Sequence, residues 1–171
     1  MDDLALSIRQ ARPSDAADLA RIYIESWQDT YAGILPHALL TAMSHKGQAA
    51  RWQQTMRGPG AVLIAEDAHF GPVGLASLGP ARDKGLGLDG EIYTLYVDPA
   101  FLGRGTGRAL LAASFAALTA KKYRSCVIWA HARNMRASSM KRWAAAASVP
   151  APRASWARKR RRSPSAGRGS R

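Results

Sequence analysis

Gly103, Gly105 and Gly107, interleaved with Arg104 and Arg108, are the residues of this chain best suited to hold a phosphate. Glycine has no Cβ to keep a ligand from the backbone. A helix that starts immediately after such a loop offers several first-turn N–H groups without intrahelical partners, at the positive end of its dipole. Arg104 and Arg108 bring guanidinium groups to the same place, where phosphate oxygens accept charge-assisted hydrogen bonds. Taken alone, the glycines fit a tight strand-to-helix connection without a ligand equally well.

Two familiar phosphate loops are excluded. No Gly-Lys-Ser or Gly-Lys-Thr follows, which rules out the Walker A pattern. A dinucleotide-binding turn needs an acidic residue about twenty positions downstream for the ribose, and no acid occurs after Asp98.

The elements around the loop are legible from periodicity. Glu91 to Val97 reads as a strand stopped by Asp98-Pro99, and Thr106 to Ala120 as a helix with Leu110, Leu111, Phe115 and Leu118 on one face. Upstream, Ile8 to Ala11 reads as a short strand, and Ser14 as the N-cap of a helix carrying Leu19, Ile22, Tyr23 and Trp27. Pro36 to Met43 and Gly47 to Met56 read as further short helices. Ala61 to Ala65 and Val73 to Leu78 form two strands turning at His69 to Pro72, and Ser125 to Ala132 another.

With its order of strand, helices, hairpin, strand, helix and strand in place, the chain resembles the GCN5-related N-acetyltransferases. The run Leu95-Tyr96-Val97-Asp98-Pro99, followed by Leu102-Gly103-Arg104-Gly105-Thr106-Gly107 and Ala109-Leu110-Leu111, is similar to that family's acetyl-coenzyme A motif. The motif usually opens with Gln or Arg, and here Leu102 stands in that position. The segment Ile8 to Pro36 resembles the first strand and first two helices of one branch of the family.

The resemblance implies an α+β fold, a mixed and mostly antiparallel sheet flanked by helices, that binds acetyl-coenzyme A and transfers acetyl to a primary amine of a small molecule or peptide. It implies that backbone groups of Leu95 and Val97 pair with the pantetheine arm, with Tyr96 between them on the cofactor-binding stretch, that Leu102 to Arg108 hold the pyrophosphate, and that Asn134 lies beside the cofactor. Glu91 becomes the candidate catalytic base; the alternative is a solvated carboxylate near a strand end. Trp27, Tyr31 and Ile34 match the substrate side of the family, and core packing is the competing reading of Trp27. A coenzyme A-binding domain without turnover remains a second function class.

The remaining composition narrows the setting. The 171 residues suit one domain. The acidic start Met1-Asp2-Asp3 is unlike a signal peptide, and no stretch is long and apolar enough to span a membrane, so a cytoplasmic protein is expected. A homodimer is compatible with all of this. Cys126 lies in an apolar strand and reads as a small buried hydrophobe. His37, His45, His69 and His131 lack metal-ligand spacing, so no metal is expected.

The net charge of +13 resembles a nucleic-acid signature only until the chain is divided. Residues 1–132 hold 13 Lys/Arg against 12 Asp/Glu, whereas residues 133–171 hold 12 Lys/Arg and no acid. The sequence therefore divides into a nearly neutral acetyltransferase-like domain over 1–134 and a basic, irregular tail over 135–171. The run from Arg158 to Arg162 could contact nucleic acid or an anionic surface, but with only Trp143 and Trp156 as aromatics, no specific nucleic-acid partner is expected.

After Asn134 the family would require a helix resembling Ala-Arg-Phe-Tyr-Glu, two residues and Gly, then two closing strands. The residues present do not supply it. Reading Met135 to Ala144 one codon position out, with CGN arginine and TCN serine codons, permits Ala-Arg-Phe-Phe-Tyr-Glu-Ala-Met-Gly. A one-base insertion or deletion near Asn134 would thus explain an altered C-terminal helix and strands, and the loss of the family's tyrosine acid.

Overall fold

The computed structural model describes residues 6–131 and 153–159, with backbone alone for 129–131 and 153–159. The chain runs β1 (Leu6–Gln10), α1 (Ala16–Tyr31), α2 (His37–Thr41), α3 (His45–Met56), β2 (Ala61–Asp67), β3 (Gly71–Pro80), β4 (Gly90–Val97), α4 (Thr106–Ala120), β5 (Ser125–His131) and β6 (Arg153–Lys159). The strands form one sheet in the order β1-β2-β3-β4-β5-β6. The first four are antiparallel, while β4, β5 and β6 run parallel. This is the mixed, mostly antiparallel α+β architecture expected from the sequence.

Both faces of the sheet are covered, and alternation along the strands decides which side chain meets which layer. Leu63, Val73, Leu78, Ile92 and Val97 face α4, where Leu110, Leu111, Phe115 and Leu118 close the core. All four helix residues lie on the expected face. Val62, Ile64 and Leu75 face the other way, onto Leu19, Ala20 and Ile22 of α1 and Trp52 of α3. Each fully buried aliphatic of this kind contributes about 1.5–3 kcal/mol.

Gly74 permits the close seat of α4 on the sheet. A Cβ there would stand 2.9 Å from Leu110 Cδ1 and 3.2 Å from Thr106 Cγ2.

Two expectations are corrected. Ser14 does not cap α1. A 3-10 turn over Pro13–Asp15 precedes the helix, and Asp15 occupies the cap position without a side-chain cap bond. The carboxylate is instead drawn to Arg9, at 2.8 and 3.0 Å, and to the Arg12 N–H at 2.6 Å. A bidentate guanidinium holds a carboxylate more strongly than a neutral first-turn N–H does.

The tail is not irregular throughout, because Arg153–Lys159 add to β5 as a parallel strand, from Ser125↔Arg153 to His131↔Lys159. An exposed β5 edge would leave a row of backbone donors and acceptors open, and any chain able to extend beside it can satisfy them. Asn134 and the stretch Met135 to Ala144, which reads as the family's helix one codon position out, lie outside the described residues.

Candidate active site

The site begins where β4 and β5 part. They pair over Gly90↔Cys126, Glu91↔Val127 and Ile92↔Ile128. Both strands continue, β4 to Val97 and β5 to His131, but no further pairing joins them. A β-bulge marks the point: Leu78 and Ser77 are adjacent on β3, yet their partners are Ile92 and Thr94, so Tyr93 is an extra residue on β4. A bulge bends its strand and increases the local twist, which carries β4 away from β5. Because β4 remains paired with β3 through Val97, its other edge from Tyr93 to Val97 has no strand partner among the described residues. An extended ligand with amides of its own can add there as a strand.

Asp98 and Pro99 then end β4. The Asp98 side chain accepts from the Ala100 N–H at 3.0 Å and caps a 3-10 turn over Pro99–Phe101. Leu102 packs its side chain against the α4-side core, so the residue that departs from the family pattern serves as an apolar anchor for the loop.

Gly103 and Gly105 have φ of +79° and +88°, in the left-handed region. A Cβ at either would meet nothing within 4 Å, so conformation rather than space requires glycine there. Gly105 is the cap position of α4 and supplies no side-chain acceptor, leaving the first-turn N–H groups at Thr106, Gly107 and Arg108 for an external anion. Thr106 is buried against the sheet, Gly107 is half-buried, and Arg104 and Arg108 are exposed. The Arg104 guanidinium lies 5.0 Å from the centre of the Phe101 ring.

Not every cofactor candidate faces the same way. Leu95 and Val97 lie on the α4 side of the sheet, whereas the Tyr96 ring lies with the opposite core. Its hydroxyl accepts from Trp27 Nε1 at 2.9 Å. Burial, reinforced by the neighbouring Tyr31 and Tyr23, pushes Tyr96 well above the usual tyrosine range, so it remains a neutral phenol. Only the backbone of Tyr96 is left for a cofactor.

Glu91 is neither solvated nor free. It is fully buried, and Arg82 covers it from the loop after β3. The Arg82 backbone N–H donates to Oε2 at 2.9 Å, and the guanidinium donates to Oε1 through Nε at 3.0 Å and through Nη2. The Arg82 side chain is 63% exposed and rests 4.7 Å from the centre of the Tyr93 ring. Tyr93 in turn donates to the Pro80 carbonyl at 2.6 Å.

Of the residues expected on the substrate side, Trp27 is half-buried and stacks between Tyr23 at 5.5 Å and Tyr31 at 4.7 Å, centre to centre. Trp27 therefore packs against β4 and is exposed to a cleft at the same time. That cleft, about 510 Å³, opens between α1 and the α2–α3 helices, with Tyr23, Trp27, Leu39, Gln48 and Arg51 among its walls. Tyr31 continues the aromatic row beyond it, and Ile34 sits in the turn after α1, its N–H on the Tyr31 carbonyl at 3.0 Å. Cys126 is buried, and burial pushes its thiol up to about 11, which leaves it neutral. Among the described residues no three His, Cys, Asp or Glu side chains converge as metal ligands.

Two arginines that bind carboxylates of β4 and its end escape a reading of the sequence. Arg82 stands in an irregular loop, and Arg21 on α1 meets Asp98 across 77 residues. Only the fold brings either to its carboxylate, and neither belongs to a motif.

Comparison with known proteins gives a consistent result. The model of the acetyltransferase (GNAT) family matches residues 18–142, which include the whole site described above. The N-acetyltransferase YuaI of Bacillus subtilis (strain 168), itself uncharacterised, is 32% identical over 130 residues, 75% of this chain and 73% of that protein. The PaiA N-acetyltransferase of Thermoplasma acidophilum, solved with coenzyme A, superposes with a TM-score of 0.69 at 20% identity, covering 81% of this chain and 87% of the other. The yncA structure from Salmonella typhimurium, which holds its cofactor acetyl-CoA, gives 0.62 at 24% identity over 82% and 77%. A ribosomal-protein-alanine N-acetyltransferase from Brucella melitensis gives 0.64 at 26% identity over 80% and 81%.

Proposed function

The chain belongs to the acetyltransferase (GNAT) family, and from that premise we propose that it transfers the acetyl group of acetyl-coenzyme A to a primary amine. The observation that carries this reading is the parting of β4 and β5 beside an uncapped helix N-terminus. The unpaired β4 edge suits the amides of a pantetheine arm, and the Gly103–Gly105 loop with the α4 first turn suits a pyrophosphate. Arg104 and Arg108 add cations at the anionic end. Bound there, acetyl-coenzyme A supplies an activated thioester.

This chain's residues orient the carbonyl and manage protons. A backbone N–H on the β4 edge at Leu95 polarises the thioester oxygen, which favours the charge that develops as the amine attacks. The amine must first lose a proton. At a pKa of about 10.4, that costs about 4–5 kcal/mol at neutral pH. Glu91 receives this proton, directly or through water, once the exposed Arg82 guanidinium has moved off its carboxylate. The carbon–nitrogen bond forms, the carbon–sulfur bond breaks, and the second proton lost by the attacking nitrogen balances the one taken up by the departing thiolate. Asn134 would complete the coenzyme side of the site.

A second reading follows from the same pair. A buried carboxylate closed under a guanidinium also fits a domain that binds the coenzyme without turnover. Thermal unfolding with and without acetyl-coenzyme A tests binding, and release of free thiol with a panel of small amines, amino acids and peptides tests transfer. An unfolding midpoint that ignores acetyl-coenzyme A sinks both readings, while a shift without thiol release leaves only the second.

A further inference from the structure

We propose that Arg21 is a positioning residue for the coenzyme loop: reaching from α1, it clamps the corner where β4 ends and so fixes the N–H groups that receive the pyrophosphate. The inference rests on the coenzyme reading above.

Four hydrogen bonds define the clamp. Arg21 Nη1 donates to Asp98 Oδ2 at 2.9 Å, and Nη2 donates to the Pro72 carbonyl at 2.8 Å. The other Asp98 oxygen receives the Ala100 N–H, and the Asp98 backbone N–H reaches the Val73 carbonyl at 2.9 Å. The planar fork of one guanidinium thus joins the β2–β3 turn to the first residues of the loop, a geometry an ammonium cannot reproduce. One turn further along α1, the buried Ser26 hydroxyl donates to the Val97 carbonyl at 2.9 Å.

Arg21 also faces Asp18 at 3.8 Å and Glu25 at 3.1 Å on its own helix. Those pairs are surface contacts of small worth and do not explain why the arm extends to Asp98 and Pro72. The loop itself has only glycine at two of its turning points, and so little stiffness of its own. A site whose supporting residues are loose binds poorly even when its ligating groups are present.

Calorimetric titration of coenzyme A into the full chain tests this, using wild type, R21Q, R21K, D98N, G105A and the R21Q/G105A double variant. R21Q is expected to raise Kd about tenfold, with little change in the unfolding midpoint of the ligand-free protein. R21K should fall between, because a lysine reaches one acceptor instead of two.

If Arg21 acts through the loop, R21Q adds little once G105A has already disordered it. An R21Q affinity equal to wild type, or fully additive losses in the double variant, overturns the proposal. Should R21Q not fold, D98N carries the test, since it retains the acceptor for Ala100 while losing the charge, and an unchanged D98N affinity overturns it equally. Failure of wild type to bind coenzyme A instead sinks the coenzyme reading, and this inference with it.

Discussion

Glu91 and Arg82 form an ion pair in which the acid is wholly buried and the base mostly exposed. The asymmetry gives the two residues different consequences. Arg82 is already largely in water, so the cost of opening the pair falls on Glu91, which would be left an uncompensated buried charge.

Removing the carboxylate's charge while keeping its shape should therefore separate catalysis from folding. E91Q is expected to lower kcat/KM by about 10²–10⁴-fold while leaving the affinity for acetyl-coenzyme A near wild type. Steady-state kinetics with whichever amine of the panel is acetylated, alongside titration of the coenzyme, checks this. Full activity in E91Q removes Glu91 from the mechanism.

R82A should act on stability first. It strands the buried Glu91 carboxylate with the backbone N–H of residue 82 as its remaining donor, a loss smaller than that of breaking a fully buried pair because the Arg82 side chain is largely solvated. R82A/E91Q together should recover much of that loss, because no buried charge remains. Chemical denaturation of the four proteins measures the coupling, and simple additivity would show that the pair contributes nothing.

Alanine at Gly105 tests the loop. The φ of +88° places any side chain in a strained conformation, at a cost of about 1–2 kcal/mol. G105A should relax by changing the loop, so the shift in unfolding midpoint produced by saturating coenzyme A should shrink or vanish. A full shift in G105A would mean that the loop does not hold the coenzyme.

The Arg9–Asp15 pair predicts a pH dependence of stability. Hydrogen bonds from the Arg9 guanidinium outweigh burial and, with the Arg12 N–H, hold the Asp15 carboxyl below the usual carboxylate range. A carboxylate whose pKa is lower in the folded protein contributes stability above its unfolded value of about 3.9, and that contribution fades as pH falls through the folded value. D15N should thus melt below wild type at neutral pH, and the gap should narrow as the pH is lowered below about 3.9. A gap that stays constant with pH assigns the loss to shape rather than charge.

The C-terminal reading has a test of its own. The nucleotide sequence across codons 134–135 should show, in a second frame downstream, the missing helix and closing strands. Absence of such a frame would leave the basic segment as native sequence.

Much of the site was legible before the fold, for local reasons. Glycines at turning points, an Asp-Pro stop and the 3.6-residue period of Leu110, Leu111, Phe115 and Leu118 are properties of neighbouring residues, so they survive in a linear reading. What stayed hidden depends on contacts between distant segments. No pattern in β4 announces the extra residue at Tyr93, because a bulge exists only relative to a partner strand. The side on which the Tyr96 ring packs was likewise not legible, because the face each strand position meets is set by the layers the fold lays on the sheet. Ser14 had the right chemistry for a cap but stood one position before an aspartate with a stronger partner. The strand at Arg153–Lys159 carries no apolar alternation to reveal it; the open edge of β5, a tertiary feature, gives that segment somewhere to pair.

The parting of β4 and β5 has a further consequence for the protein without ligand. The edge of β4 from Tyr93 to Val97 that faces away from β3 has no strand partner among the described residues, and open edges recruit strands from other chains. Acetyl-coenzyme A lying along it, as proposed above, would do what a neighbouring strand does. Ligand-free protein should consequently be the form that self-associates on storage or warming, and the coenzyme should act as its solubilising agent as well as its acetyl donor.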